Sequence, residues 1–401
     1  MEGRAVSAEL LSGLIRGEVP AEPGFADADF RNGIRKAAEY HGVVSLIAHR
    51  LRQNRNGNGH IEALAGICAE RQRADAATGL IKEKELSTTI DALAKRGVLP
   101  LLMKGTPLAY SHYPSPDTRA RADTDMLIPS DGRYSANTAL RELGYRVPDP
   151  GTYRSIHDQF SAEKRDRFGV VHSLDVHWKL SNHKAFADLF PYEELARASV
   201  PVAELGANAR ALGPVHALLL ACMHRVAHIH SPLYIDGIPR CDGDRLIWLY
   251  DIHLLLTQMS PDQIERFAAL AIVKRIGAVC LDGTKRAARH FGTRVPAALI
   301  EAVSTTDLEE PSAGYLVPGR LRHLLTELRF LAGRRARIRF LNQLAFPDPD
   351  YVLKTYEVSS RLWLPLLYLH RGLRGLCRLV RQTGSESPSQ ADRAIPAERF
   401  E

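Results

Sequence analysis

The chain has 401 residues, of which 45% are hydrophobic and 25% are charged, and its formal net charge is +7. This composition is typical of a soluble globular protein, and the length suggests two or three structural units. No run approaches the roughly 18 apolar residues of a membrane-spanning helix, and Met1–Pro20 lacks the basic start and apolar stretch of a signal peptide. The five cysteines have no metal-binding spacing, so we expect reduced thiols and a cytoplasmic location.

Residues 1–97 are predicted to form an N-terminal helical region. Apolar residues recur with helical spacing over Ile34–Leu51, and the Asn and Gly residues at 54–59 predict a loop. A second pattern over Ile61–Ala94 is rich in alanine and indicates either one long helix or two. The basic residues and glycine of Lys95–Gly97 are typical of a helix end.

An α/β core is predicted for residues 98–182, beginning with a strand at Leu99–Met103. Lys104, Gly105 and Thr106 follow this strand and precede a predicted helix. A glycine here allows a phosphate to approach the backbone, and the free N–H groups of a helix start attract anions. The hydroxyl of Thr106 adds a further donor, so the turn is a candidate phosphate-binding element.

The second predicted strand, Ala122–Ile128, carries Asp123 and Asp125. Alternate residues of a strand point to the same face, so these two carboxylates are expected to lie about 6 to 7 Å apart. Two such carboxylates repel each other unless a cation lies between them. Mg²⁺ prefers hard oxygen ligands and accompanies phosphate substrates, so the pair predicts a magnesium site and nucleotide chemistry.

Later β-like segments supply a third carboxylate. They are predicted at Tyr145–Val147, Ile156–Ala162 and Val170–Lys179. On the last of these, Asp175 and His177 share one face. Two-metal phosphoryl transfer needs a further carboxylate near the attacking hydroxyl, which favours a role for Asp175. His177 is predicted to form hydrogen bonds around the site rather than to be a metal ligand.

Residues 183–350 are predicted to form a helical domain that completes a cleft. His224 and His228 lie four residues apart and therefore on one helix face. The pair has two interpretations, a zinc site or a polar stripe that lines the cleft. The second is favoured because no glutamate follows the first histidine as in a metalloprotease. On the next predicted helix, Arg245 and Asp251 are separated by two successive steps of three residues, so they lie on roughly the same side of the helix.

The C-terminal part of the chain is strongly basic. Residues 320–381 contain thirteen Lys or Arg and four Asp or Glu, a balance of +9. A basic amphipathic helix is predicted at 351–381. Its segment Arg361–Arg381 has two interpretations, a helix packed on the core through leucines, which we favour, and a helix at a membrane surface. Residues 382–401 are predicted to be disordered.

The order of these motifs resembles the uncharacterised nucleotidyltransferase family of the DNA polymerase β-like superfamily. The residues that carry the resemblance are Lys104, Gly105, Tyr113-Pro114, Arg119, Asp123, Asp125, Asp175 and His177. One departure is that Lys-Gly-Thr stands where the superfamily has Gly-Ser or Gly-Gly, and the spacer before Asp-x-Asp is longer. The resemblance implies an α+β fold, with a mixed-sheet core flanked by N-terminal and C-terminal helical regions.

The resemblance also implies a mechanism. Asp123, Asp125 and Asp175 would hold two Mg²⁺ ions, with Mn²⁺ as an alternative, and Asp175 is also a candidate general base. The predicted nucleotide-binding residues are Lys104, Gly105, Thr106 and Arg119, and those expected to face the nucleotide across the cleft are His177, His224, His228, Arg245 and Asp251. The donor would be an NTP, with ATP favoured. The acceptor would be a hydroxyl group of a small molecule, saccharide, peptide or protein.

Three alternatives stay open at this point. The same metal chemistry can transfer a phosphoryl group instead of a nucleotidyl group. The altered Lys-Gly-Thr turn is compatible with a protein that binds nucleotide without transferring it. The basic C-terminal third is compatible with nucleic-acid binding, although the chain lacks interleaved aromatic residues and any zinc or helix-turn-helix signature.

Overall fold

The structure is a computed structural model. It describes residues 6–18, 23–53, 59–148, 158–229, 233–235, 238–240, 243–305, 310–347 and 349–383. The predicted loop at 54–58 and the predicted disordered tail from 384 onward lie outside the described residues, as do Cys241 and the side chain of Cys377. Cys68, Cys222 and Cys280 are buried free thiols.

The N-terminal region is helical as predicted, with a different division. Its helices are α1 (Ala8–Arg16), α2 (Ala28–His41), α3 (Val44–Gln53) and α4 (Gly59–Lys95). The single pattern over Ile34–Leu51 is two helices, because Gly42 ends α2 in a left-handed conformation with φ of 73°. The second pattern is one long helix, α4, which ends at Lys95 as expected.

A six-stranded mixed sheet forms the centre of the described chain. The strands are β1 (Leu101–Met103), β2 (Thr124–Leu127), β3 (Gln159–Arg165), β4 (Val171–His177), β5 (Val200–Pro201) and β6 (Arg210–Ala211). Their order is β3-β4-β2-β1-β6-β5, with β1/β6 and β2/β4 parallel and the other pairs antiparallel. Helices α5 (Gly105–Ser111) and α6 (Arg133–Glu142) lie between the early strands in sequence.

Two predictions about this core need correction. The sheet extends beyond residue 182, because the short strands β5 and β6 pair along the outer edge of β1. Two-residue strands have no detectable alternation of apolar residues, so the sequence pattern does not reveal them. The predicted strand Tyr145–Val147 is a single bridge between Arg146 and Glu163.

The two faces of the sheet are covered differently. On one face of the sheet, Leu102 and Met126 share a hydrophobic cluster with Ile90 of α4. Met103 and Leu127 point to the opposite side and join the core of the helical domain. Residues that alternate with the first set, including Asp125, therefore face the helical domain.

The remaining elements are mostly helical. They are α7 (Lys184–Ala187), α8 (Tyr192–Arg197), α9 (Pro214–His228), the hairpin β7 (Leu233–Ile235) and β8 (Ile238–Arg240), α10 (Leu246–Gln258), α11 (Pro261–Val273), α12 (Gly277–Phe291), α13 (Ala297–Thr305), α14 (Arg320–Phe330), α15 (Gly333–Ala345), α16 (Pro349–Thr355) and α17 (Leu364–Thr383). Among the described helices, none combines the length and the apolar character needed to cross a bilayer.

Stability is expected to fall in mild acid because of His41, which is buried at the end of α2. Its Nδ1 accepts a hydrogen bond from the backbone N–H of Leu246 at 3.2 Å. Burial, assisted by the positive charge of Arg245, lowers the pKa of His41 to about 3. Between that value and about 6.5 the unfolded chain binds a proton that the folded chain does not, so acid favours unfolding.

We therefore expect the free energy of unfolding to fall by about 2 kcal/mol between pH 7 and pH 5 through this residue. Urea titrations at the two pH values measure the change. A His41→Asn variant keeps an acceptor but does not titrate, so its loss should be smaller by that amount. An equal loss in both proteins would contradict this role of His41.

Candidate functional site

Asp125 and Asp175 are brought together by the parallel pairing of β2 with β4. In this register Asp125 lies opposite Asp175, and Leu127 lies opposite His177. The two aspartates and His177 therefore share one face of the sheet, the face toward the helical domain. Asp125 and Asp175 are fifty positions apart in the chain, and only the sheet makes them neighbours.

Asp125 is the most strongly held carboxylate of this group. Lys104 Nζ donates to its Oδ1 at 2.5 Å, and His177 Nε2 lies 3.0 Å from the same oxygen. Burial alone would raise the pKa of Asp125, but the Lys104 ammonium and the His177 hydrogen bond outweigh it and leave the pKa well below its ordinary value. Asp125 is therefore an anion at neutral pH, as a cation ligand must be.

Asp175 is oriented by two side chains from the neighbouring strand. Ser161 Oγ donates to its Oδ1 at 2.6 Å, and Gln159 Nε2 donates to its Oδ2 at 3.1 Å. Sequence reasoning did not identify Ser161 or Gln159. The available signal is that polar residues alternate on β3, whose antiparallel register places Ser161 opposite Asp175.

Asp125, Asp175 and His177 form a group that can hold a metal ion. One ligand atom from each lies within 4.8 Å of the other two. Because ionised Asp125 only accepts hydrogen bonds, His177 Nε2 carries the proton in that contact. His177 Nδ1 is buried and has no hydrogen-bond partner in the described part of the chain, so its lone pair is free in the neutral tautomer. Two carboxylates and a ring nitrogen fit a divalent cation.

Asp123 lies just before β2, and part of the residue is exposed to solvent. The protein around its carboxylate partly desolvates that group, and this desolvation, together with repulsion from Asp125 and Asp175, raises its pKa. The three-residue group found among the described residues contains His177 and not Asp123. The predicted role of Asp123 as a ligand stays a prediction.

The turn after β1 has an unusual backbone. Lys104 adopts φ of 57° and ψ of −134°, a left-handed conformation that L-residues rarely occupy and that is common at functional sites. A Cβ at Gly105 would approach the guanidinium of Arg119 to 2.7 Å, so a larger residue here would displace the paired Arg119 side chain. The predicted role of Gly105 in phosphate binding stays a prediction. Thr106 is buried, with its hydroxyl 3.4 Å from that of Thr124.

Arg119 and Asp251 are paired with each other across the two halves of the molecule. Arg119 Nε and Nη2 donate to the two carboxylate oxygens of Asp251 at 2.9 and 2.7 Å, and Tyr113 OH donates to Oδ1 at 2.7 Å. Sequence reasoning assigned Arg119 to phosphate and Asp251 to the nucleotide-facing wall. In the structure the two charges are largely buried and neutralise each other, and the predicted contacts of both residues with the nucleotide stay predictions. The partner was invisible in sequence because it lies 132 positions away.

His224 and His228 form an aromatic cluster with Trp248 on the opposite wall. The two imidazoles are 4.6 Å apart, and each lies within 6 Å of the Trp248 ring. Burial, then His228 and Lys104, hold the pKa of His224 well below its ordinary value. Burial and the Lys104 charge lower the pKa of His228 to about 4. Both rings are therefore neutral at pH 7. The group of possible metal ligands found among the described residues does not include these two histidines, and the choice between the zinc-site and polar-stripe interpretations stays open.

Arg245 lies next to Trp248 of this cluster. Its Nε donates to the backbone carbonyl of Tyr40 at 2.7 Å, and its guanidinium lies 5.7 Å from the centre of the Trp248 ring. Burial and the nearby Arg119 lower the pKa of Arg245 to about 10. Arg245 therefore joins the N-terminal helices to α10 and supports the ring of Trp248.

A cavity of ≈ 300 Å³ is lined by residues of α5, α9, α10 and the strands β5 and β6, and Lys104 is part of its lining. Lys104, Arg119, His224, Trp248 and Asp251 contribute to its lining, and the rest is largely aliphatic. The site therefore consists of a charged group on one face of the interior strands β2 and β4 and a mostly apolar cavity, with Lys104 bordering both.

The chain matches the model of a family described as an uncharacterised nucleotidyltransferase over residues 32–292. That match covers more than half of the chain. The protein belongs to this family. No curated protein matches the chain. The family region runs from within α2 to the end of α12, and it contains the sheet, the Asp125–Asp175–His177 group and both walls of the cleft. Helices α13 to α17 lie beyond it.

Proposed function

We propose that the protein is a divalent-metal-dependent nucleotidyltransferase that moves a nucleotidyl group from an NTP to a hydroxyl group of an acceptor. Membership of the family supports the class of reaction. The observation that carries the proposal is the group of Asp125, Asp175 and His177, with Lys104 at 2.5 Å from Asp125 and a cavity beside it.

Asp125 and Asp175 would hold the cation through carboxylate oxygens, with His177 or Asp123 completing the ligand set. Mg²⁺ is the proposed ion and Mn²⁺ the alternative; a nitrogen ligand is compatible with the second. When bound, such an ion neutralises charge on the triphosphate and lowers the pKa of the attacking hydroxyl. Ser161 and Gln159 hold Asp175 in one orientation, which reduces the reorganisation needed on binding.

Lys104 supplies the cationic group nearest the carboxylates. Its ammonium contacts Asp125 and lines the cavity, so it can donate to a phosphate oxygen while it remains beside the carboxylate. The neutral rings of His224 and His228 offer hydrogen bonds without adding charge. The backbone N–H groups of Gly105 and Thr106 are the proposed phosphate contacts in the turn.

Nucleotide binding is testable without knowledge of the acceptor. We expect one NTP to raise the melting temperature only when Mg²⁺ or Mn²⁺ is present, since a ligand at a hundred times its dissociation constant adds about 2.7 kcal/mol of stability. Asp175→Asn should lose the metal-dependent part of the shift. Asp188→Asn, which alters an exposed aspartate paired with Lys179, is the matched control and should keep it. No shift with any NTP would contradict the proposal.

The position of a radiolabel separates the two transfer reactions. In nucleotidyl transfer, the label of an α-³²P NTP moves to the acceptor and pyrophosphate leaves; in phosphoryl transfer, a γ-³²P label moves instead. Candidate saccharides, peptides and small alcohols are incubated with the NTP that shifts the melting temperature. Product labelled only from the γ position would replace the proposed reaction with phosphoryl transfer.

A further inference from the structure

The C-terminal helices expose apolar side chains that a folded protein normally buries. On α17, Leu366, Leu369 and Leu373 lie three and four positions apart, hence on one face, and are 56–63% exposed. The short turn before α17 exposes Leu362 by 90% and Trp363 by 55%. The sequence favoured packing of this leucine face on the core. That prediction is wrong, because α17 instead contacts the segment before α16 through Tyr368, whose hydroxyl donates to the carbonyl of Pro347 at 2.7 Å.

Helix α15 also exposes apolar side chains to solvent. Ile338, Leu341 and Leu344 are exposed, and no residue of α15 is buried. Phe346, which follows the helix, is exposed as well. We call the exposed residues of 333–346 and 361–374 the C-terminal surface. The two segments adjoin, since the rings of Phe346 and Tyr368 lie 5.4 Å apart. Large exposed apolar patches mark interaction sites.

Arginines accompany these apolar groups. Arg334, Arg335, Arg337 and Arg339 are all exposed on α15, and Arg374 is exposed on α17. The whole region from 320 to 381 has thirteen basic and four acidic residues. A surface that combines leucines, a tryptophan and clustered arginines matches the composition of helices that lie at the boundary between lipid headgroups and acyl chains.

The positive charge of the C-terminal surface indicates which kind of partner it fits. A symmetric dimer would place two copies of the same basic surface against each other, and like charges across an interface oppose association. A nucleic acid would pair with the arginines but would leave Leu362, Leu366 and Leu369 facing phosphates. An anionic bilayer satisfies both sets of groups, because phosphates attract the arginines and the acyl boundary accepts the leucines.

We propose that the C-terminal surface binds the surface of anionic lipid bilayers. The leucine face of α17 and Trp363 enter the headgroup region, and the arginines of α15 contact lipid phosphates. The C-terminal surface lies outside the family region at 32–292, so it is a feature of this chain beyond its nucleotidyltransferase portion.

This contact has a consequence for the acceptor, which rests on the proposed function. A protein held on a bilayer meets hydroxyl groups attached to the same membrane at a higher effective concentration than free ones. Binding through the C-terminal surface would therefore favour an acceptor that is itself attached to a membrane.

The test is co-sedimentation of the full chain with vesicles. We expect the protein to pellet with vesicles that contain 30% phosphatidylglycerol and to stay in the supernatant with pure phosphatidylcholine. Adding 0.5 M NaCl should release part of the bound protein. Arg334→Glu/Arg335→Glu/Arg339→Glu and Leu366→Ser/Leu369→Ser should each bind about tenfold or more weakly. The residues are exposed, so the variants should keep the wild-type circular dichroism spectrum.

Matched controls distinguish binding through the C-terminal surface from non-specific hydrophobic binding to vesicles. Leu80→Ser/Val273→Ser removes two apolar side chains that are 71% and 74% exposed elsewhere, and it should bind as the wild type does. Asp175→Asn should also pellet normally, so loss of transfer and loss of lipid binding are distinguishable. The proposal is overturned if the wild type remains in the supernatant with anionic vesicles, if the control variant loses as much binding, or if light scattering shows a dimer that the arginine variant dissociates.

Discussion

Asp125→Asn is expected to reduce nucleotidyl transfer by about 10³-fold or more and to weaken Mn²⁺ binding at least tenfold. Asparagine has nearly the same shape but no charge, so the change removes the anion that the cation needs. It also leaves the Lys104 ammonium, which is 2.5 Å from Asp125 Oδ1, without its partner. Free Mn²⁺ is followed by electron paramagnetic resonance, which needs no acceptor.

Asp131→Asn is the matched control, since Asp131 is exposed in the turn that follows β2 and should bind Mn²⁺ as the wild type does. His177→Gln is expected to bind Mn²⁺ with an affinity between those of these two variants. A tenfold to hundredfold loss of metal affinity is typical when a metal ligand, or a residue that orients one, is replaced. Unchanged Mn²⁺ binding in Asp125→Asn would show that the cation, if bound, is held elsewhere, and the proposed mechanism would then be abandoned.

Arg119→Ala is expected to lower the free energy of unfolding by about 3–5 kcal/mol, because it leaves the buried Asp251 carboxylate with one hydrogen bond, from Tyr113. The side chains of Arg119 and Asp251 are only 10% and 7% exposed, so the pair is largely shielded from bulk solvent. The midpoint of urea unfolding measures the change. The double variant Arg119→Ala/Asp251→Ala should lose less than the sum of the single losses.

Arg146→Ala is the control for this measurement. Its partner Glu163 is 3.2 Å away, but the Arg146 side chain is 85% exposed, and exposed pairs contribute about 0–1 kcal/mol. The sequence-based role of Arg119 predicts a different pattern, in which nucleotide affinity falls while stability is unchanged. That pattern would contradict the structural role of the Arg119–Asp251 pair.

The candidate site was partly predictable from sequence because a strand has a period of two. That period places Asp175 and His177 on one face whatever the strand pairs with. His177 was predicted to form hydrogen bonds around the site, and its Nε2 lies 3.0 Å from Asp125 Oδ1. Its position opposite Leu127, one strand from Asp125, gives it a contact with the carboxylate, and no local pattern contains that register.

The C-terminal helix shows the opposite case. The sequence pattern indicated a basic amphipathic helix over 351–381, since amphipathicity depends only on spacing. The structure has two helices there, α16 and α17, and α17 begins only at Leu364. Whether such a face is covered depends on the elements near it. In the described structure Leu366 and Leu369 face outward, so the preference for packing on the core was wrong.

By itself, the sequence determined the local features of this protein: the helical regions, the strand that carries Asp125, the strand that carries Asp175, and the family they indicate. These follow from side-chain periodicity and turn chemistry within a few residues. The tertiary structure alone decided which charges meet. Asp125 pairs with Lys104 and lies beside Asp175, while Arg119 is neutralised by Asp251, because such partners are chosen by sheet register and helix packing between residues far apart in the chain.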